Sequence, residues 1–262
     1  MKNYFLKIDA KQQYKLALEE LDKGQIKNAL KLLDRALERF ENHIDSLTLR
    51  GNLYAELNKW DKTLTDYEKL SIIQPKTEKI NLIIGNCHYE MRNYDKAIEF
   101  LTKHILESPN YTTAYVNRAT SYKNIESYKE ALLDIDKAIE MTPWKITFYL
   151  LKGEILEQLK EIAKAENSYD KAIDLEIKEG LSSIAFVYKI EFLKRIGEFE
   201  KAIEIISKKI EENLYDGYLY YKRATLFNSI QNYESAKSDY IIAMNYGIQE
   251  ARTEIKTLPN NS

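Results

Sequence analysis

Glycine and proline are scarce in this chain, with 8 Gly and 4 Pro among 262 residues. A sheet-rich protein of this length needs many tight turns built from these residues, so the composition argues against a β or mixed fold. Cysteine is rarer still, and a single residue, Cys87, excludes a disulfide framework within the chain. One free thiol is typical of a reducing compartment.

A dominant charge and a long apolar run are also missing. The 39 basic residues nearly balance the 41 acidic ones, which leaves no electrostatic footprint for nucleic acid or anionic lipid. No apolar run approaches the roughly 18 residues of a membrane span, and the patch Tyr4–Leu6 is too short for a signal-peptide core. The sequence therefore predicts a soluble, cytoplasmic protein with no nucleic-acid and no membrane partner.

What the chain does contain is a regular internal period. Tyr94 and Ala97 recur as Tyr128 and Ala131, and the two intervals are identical. The same interval separates three of the four prolines, which are Pro75, Pro109 and Pro143. A fixed period of about 34 residues indicates a stacked-repeat architecture.

Seven tandem repeats are predicted between residues 10 and 250, with three extra residues near 180–182. The predicted domain layout is a lead-in at 1–9, the repeats 10–43, 44–77, 78–111, 112–145, 146–179, 183–216 and 217–250, and a short cap and tail at 251–262. Small residues recur at position 8 of the repeat, and position 20 is almost always alanine. The sixth repeat departs from this pattern, since Ile190 stands at its position 8 and Ile177 replaces the preceding proline. We expect the join between the fifth and sixth repeats to be irregular.

Each repeat reads as a pair of antiparallel helices. Apolar positions 4, 7, 8 and 11 share one helical face, as do positions 17, 20, 24 and 27. Such a hairpin cannot bury its apolar face alone and must stack on a copy of itself. The turns between paired helices are predicted at Lys23–Gly24, Asn58–Lys59, Arg92–Asn93, Glu126–Ser127, Lys160–Glu161, Ile196–Gly197 and Gln231–Asn232.

The repeat resembles that of the tetratricopeptide repeat (TPR) family, whose unit has small residues at positions 8 and 20, an aromatic near 24, alanine at 27 and proline at 32. The tryptophan that the family carries at position 4 is absent here. The resemblance implies an all-α fold, a right-handed α-solenoid of seven helix-turn-helix repeats. It also implies a non-enzymatic scaffold or adaptor that binds a peptide or partner protein segment in its concave groove.

In that family the first helix of each repeat lines the groove through positions 2, 5, 6, 9, 12 and 13. The predicted groove residues at such positions are Asn52, Leu82, Asn86, Tyr89, Asn117, Thr120, Leu151, Tyr188 and Tyr221. Asparagine amides on successive helices are suited to bonding the backbone of an extended peptide. The clamp for a C-terminal carboxylate found in some members is not predicted, because Leu82, Thr147 and Leu151 replace its cations.

The same sequence gives less support to other functions. The three histidines and Cys87 form no catalytic or metal motif. We therefore expect no enzymatic activity and no bound cofactor or metal. An RNA-binding helical repeat needs a basic inner stripe, whereas acids and bases are balanced here. A peptide-responsive regulator of another protein remains an alternative to a passive scaffold. The oligomeric state and the identity of the partner are not predicted.

Overall fold

The computed structural model describes residues 2–75, 79–179 and 184–259, and over these ranges the chain is helical with no strand. The helices are α1 (Lys2–Asp22), α2 (Ile26–Arg39), α3 (Ile44–Glu56), α4 (Trp60–Ile73), α5 (Ile80–Glu90), α6 (Tyr94–Glu107), α7 (Thr112–Asn124), α8 (Tyr128–Met141), α9 (Ile146–Gln158), α10 (Ile162–Glu179), α11 (Ile184–Arg195), α12 (Phe199–Glu212), α13 (Gly217–Ser229), α14 (Tyr233–Asn245) and α15 (Glu250–Thr257). The all-α class and the helix-turn-helix repeats are confirmed.

The chain divides into two compact units, residues 1–165 and 166–262. In the first unit, α1 to α8 form four hairpins, each helix packing on the next one along the chain, and α9 packs on α8. In the second unit, α11 pairs with α12, α13 pairs with α14, and α15 packs on α14. Residues 2–9 of the predicted lead-in belong to α1, and α15 begins one residue before the predicted C-terminal cap.

Each of the seven predicted turns has one left-handed residue at the predicted place. Gly24 and Gly197 adopt positive φ, and so do the non-glycine residues Asn58, Arg92, Glu126, Lys160 and Gln231. The next residue donates its backbone N–H to a carbonyl five residues back, as in Ser127 N to Tyr122 O at 2.9 Å. This 6→1 bond is the Schellman ending of a helix, so the predicted turn positions are confirmed.

Small residues at position 8 let the two helices of a hairpin approach closely. A Cβ atom added to Gly51 would meet the Tyr67 ring at 2.8 Å, and one added to Gly85 would meet Leu101 Cγ at 2.8 Å. Ala17, Ala119 and Ala224 are fully buried at the same position. Where Ile190 replaces the small residue, α11 and α12 approach each other less closely than α5 and α6 or α13 and α14 do.

The rest of the predicted irregularity lies largely outside the description, because residues 180–183 are not among the described residues. The helix that precedes them, α10, runs to Glu179 and is 18 residues long, whereas α2, α4, α6 and α8 have 14. Ile177 therefore continues the helix at the position where a proline follows the second helix of the second to fourth repeats.

Three arginines join their own hairpin to the preceding one. Arg118 in α7 forms two hydrogen bonds at 2.7 Å to the Asp134 carboxylate in α8, and it donates to Thr102 in α6. Arg50 does the same with Asp66 and Asp34, and Arg223 with Asp239 and Ser207. The partners lie 16 residues on either side of each arginine. This spacing of charged and polar residues can be read directly from the sequence.

Candidate functional site

The first helices of the hairpins in the first unit carry the candidate binding surface. α7 contacts both α5 and α9 directly, so the outward sides of these helices are neighbours. Asn86, Tyr89, Asn117, Thr120 and Leu151 lie partly exposed on them, and Asn52 is exposed on α3. We call these six residues the first-helix face.

Asn86 and Asn117 are brought together at the centre of this face. Asn117 Nδ2 donates to Asn86 Oδ1 at 2.9 Å, which links α7 to α5. An amide has one carbonyl oxygen and one NH2 group, so the bonded pair keeps one oxygen and one NH2 group for other partners. The same holds if the oxygen and nitrogen of both amides exchange places, because Asn86 then donates and Asn117 accepts. The pair can therefore bond both the N–H and the C=O of another polypeptide backbone.

The neighbouring positions add polar and aromatic groups. The Tyr67 hydroxyl donates to Asn52 Oδ1 at 2.6 Å, which holds that amide and leaves its NH2 group free to donate. Burial, together with the charge of Glu90, raises the pKa of Tyr89, so its hydroxyl stays neutral at physiological pH. Thr120 turns its hydroxyl to the Val116 carbonyl of its own helix. Tyr89 and Leu151 also pack against the core beneath the face.

Leu82 does not belong to the exposed surface. Its exposed fraction is 5%, and it packs in a core cluster with Ala97, Leu101 and Tyr115. The groove position predicted for Leu82 is therefore corrected, because the side chain fills space between helices. A periodicity argument assigns a face to a residue but does not determine how deep its side chain lies.

The two candidate tyrosines of the second unit occupy different settings. Tyr188 is 37% exposed and borders a cavity of about 310 Å³ with Ile184, Val187 and Tyr218. Tyr221 is partly buried with its ring centroid 5.8 Å from that of Tyr240. Burial and the nearby carboxylates of Glu254 and Glu250 raise the pKa of Tyr221.

Two lysines on the first helices are paired with glutamates of neighbouring first helices. Lys123 in α7 binds Glu154 in α9, and in the second unit Lys222 in α13 binds Glu191 in α11. Each of these pairs, like Asn86 with Asn117, is 31 residues apart. The interval of 31 residues can be read from the sequence, but only the structure shows that it brings two first helices into contact. Complementary polar residues at that interval are therefore a sequence signal for contact between first helices.

No metal-binding constellation accompanies this surface in the part of the chain that the structure describes. Within those residues, no group of three His, Cys, Asp or Glu side chains has the arrangement of a metal site. Cys87 is fully buried, and burial raises the pKa of its thiol to about 12. His88 is buried with its ring stacked on Phe100. Among the described helices, none combines the length and apolar composition needed to cross a bilayer.

Stacked helical hairpins with a row of first helices define the class of helical-repeat interaction proteins. Tetratricopeptide repeat models match residues 14–72, 78–111, 112–143 and 146–176. The chain belongs to the tetratricopeptide repeat family. Members of this family share a protein-interaction fold and are generally non-enzymatic.

Solved structures support the same fold. A tetratricopeptide repeat protein from Parabacteroides merdae is 18% identical, with a TM-score of 0.65 over 95% of this chain and 98% of that one. MamA from Desulfovibrio magneticus RS-1 is 19% identical, with a TM-score of 0.60 over 65% of this chain and 96% of its own. YrrB, a TPR protein with an unusual peptide-binding site, is 20% identical, with a TM-score of 0.58 over 64% and 87%. A comparison with curated protein sequences found no match.

Proposed function

We propose that the chain is a scaffold that binds an extended segment of a partner protein on the first-helix face. The observation that carries this proposal is the bonded pair Asn86–Asn117, which keeps one donor group and one acceptor at a partly exposed position. A segment in extended conformation presents its own N–H and C=O groups at regular intervals. Main-chain bonding of this kind supplies affinity without reading a particular side chain.

The surroundings of the pair support a polypeptide over a nucleic acid. Lys123 is neutralised by Glu154 across α7 and α9, so it is not available to neutralise a phosphate. Tyr89 and Leu151 offer apolar area on either side of the amides, and Asn52 and Thr120 add polar contacts. Salt-sensitive binding of oligonucleotides is therefore not expected. The similarity to YrrB, which has a peptide-binding site, is consistent with this proposal.

The second unit adds a separate contact for the partner. Tyr188 presents a partly exposed ring beside an apolar cavity, and Tyr221 presents a partly exposed ring on α13. We propose that these two tyrosines take apolar side chains, while the asparagines of the first unit take backbone.

The test starts from peptides selected from a random displayed library against the wild-type chain. Replacing Asn86 and Asn117 together by alanine removes the spare donor and acceptor at about 1 kcal/mol each. We expect the dissociation constant of a selected peptide, measured by fluorescence anisotropy, to rise roughly tenfold or more. The melting temperature should change little, because both partners of the inter-helix bond are removed and neither is left unpaired.

Two controls make the result specific. Asn245→Ala, an exposed change on α14, should leave peptide affinity unchanged. N-methylation of the peptide backbone at the contacting residue should weaken binding to the wild-type chain. It should not weaken binding to the double variant further, because the two changes remove the same contact. Full affinity of the double variant for every selected peptide would place the binding surface elsewhere.

A further inference from the structure

The outer side of the first hairpin carries apolar residues at the positions that later hairpins bury against the preceding hairpin. No described part of the chain covers it. Leu16 on α1 and Leu32 on α2 are separated by the same interval as Ile84 and Phe100 of the third hairpin. In the third hairpin, Ile84 is 1% exposed because it packs with Tyr67 and Leu70 of the preceding helix α4. Leu16 is 38% exposed and forms, with Leu32, part of the wall of a cavity of about 480 Å³.

The apolar surface continues toward the start of α1. Phe5 precedes Leu16 by about three helical turns, so the two side chains lie on the same side of the helix. Phe5 is 65% exposed and Ile8 is 48% exposed. The segment is held against α2 by the cation–π contact of Lys7 with Phe40 and by the ion pair of Arg39 with Asp9. This exposed face is therefore part of the ordered hairpin.

Around the cavity on this face, Glu20 pairs with Lys23 of the same copy, and the other charges divide between the two helices. Glu19 lies on α1 beside the leucines, while Lys31 and Arg35 lie on α2, and all three are exposed around the same cavity. Consider a twofold axis that lies in the plane of this face and runs parallel to its helices. Rotation about that axis places α1 of one copy against α2 of the other. That rotation brings the acid of each copy onto the bases of the other and Leu16 onto Leu32.

We propose that two copies of this chain form a symmetric dimer through the face made by Phe5, Ile8, Leu16 and Leu32, with Glu19 of each copy paired to Lys31 and Arg35 of the other. Self-complementary charge fits a second copy better than a partner of one charge sign. An open stack of many copies does not fit, because a twofold contact uses the face once and closes.

Sedimentation of the whole chain over a concentration series tests the proposal first. The expected result is a monomer–dimer equilibrium with no larger species. Leu16→Glu should raise the dimer dissociation constant about tenfold or more, as for a residue near the centre of an interface. The matched control is Leu133→Glu, since Leu133 is 72% exposed on α8 and away from this face. Circular dichroism melting should show both variants folded.

A charge exchange tests the geometry even if Leu16→Glu disturbs α1. Glu19→Lys alone and Lys31→Glu with Arg35→Glu should each abolish dimers, because like charges then oppose each other. An equimolar mixture of the two variants should restore a dimer, since both cross-contacts become attractive. A monomeric wild-type chain, growth into larger assemblies, an unchanged dimer in Leu16→Glu, or no rescue in the mixture would each overturn the proposal.

Discussion

At the scale of single residues, each hairpin turn contains one residue with positive φ. For the non-glycine residues this left-handed conformation costs free energy. Glu126 and Lys160 are exposed and have φ of 62° and 59°. A side chain in the left-handed region costs about 1–2 kcal/mol, which glycine avoids. The bonds that close these turns come from the backbone, so they do not depend on the side chain.

We predict that Glu126→Gly and Lys160→Gly each raise the free energy of unfolding. The net gain should be about 0.5–1 kcal/mol, because glycine also adds about 0.4–1 kcal/mol of freedom to the unfolded chain. Urea denaturation monitored by circular dichroism measures it. Gly24→Ala, at a φ of 72° with no atom near the added Cβ, should shift stability in the opposite direction. A loss of stability in both glycine variants would show that these side chains stabilise the turns.

At the scale of helices, the arginine junctions place paired charges in the interior between hairpins. The side chains of Arg118 and Asp134 are only 15% and 8% exposed, so each depends on the other for compensation of its charge. The same arginine reaches Thr102 in the preceding hairpin. Hydrogen bonds and charge pairing at this site therefore connect α6, α7 and α8.

We predict that Arg118→Ala lowers the free energy of unfolding by about 2–4 kcal/mol, because it leaves the Asp134 carboxylate buried without its cation. Lys137→Ala is the matched control, since its pair with Glu140 lies on the surface and should contribute less than about 1 kcal/mol. Chemical denaturation at pH 7 compares the two. Equal effects would mean that the buried junction contributes no more than a surface pair.

At the scale of the whole molecule, a repeat protein carries its stability through contacts between neighbouring hairpins. A change in one hairpin should therefore act mainly on the helices that it touches. Arg223 in the second unit bonds Asp239 in α14 and Ser207 in α12.

We predict that Arg223→Ala lowers the hydrogen-exchange protection of amides in α12 to α15, while protection in α5 to α8 of the first unit is retained. The reason is that local opening requires only nearby contacts to break. Native-state exchange followed by mass spectrometry resolves the two regions. A uniform loss of protection over both units would show that the chain opens as one cooperative body.

The sequence alone determined the helices, the paired hairpins, the turn positions and the family. These features depend on periods and on local conformational preferences, which can be recognised along one chain. A small residue at position 8 predicts close helices at Gly51 and Gly85, and the structure shows that approach directly. The departure at Ile190 was predicted from the sequence for the same reason.

Only the tertiary structure decided which polar groups pair and how deep each side chain lies. Asn86, at position 9 of its repeat, and Asn117, at position 6 of the next, are both predicted at the surface. They form a hydrogen bond because their helices lie close together. Leu82 has a groove position in the sequence and is buried, because neighbouring helices close over it. Burial and pairing depend on distances between elements, which are set by packing across the whole repeat stack.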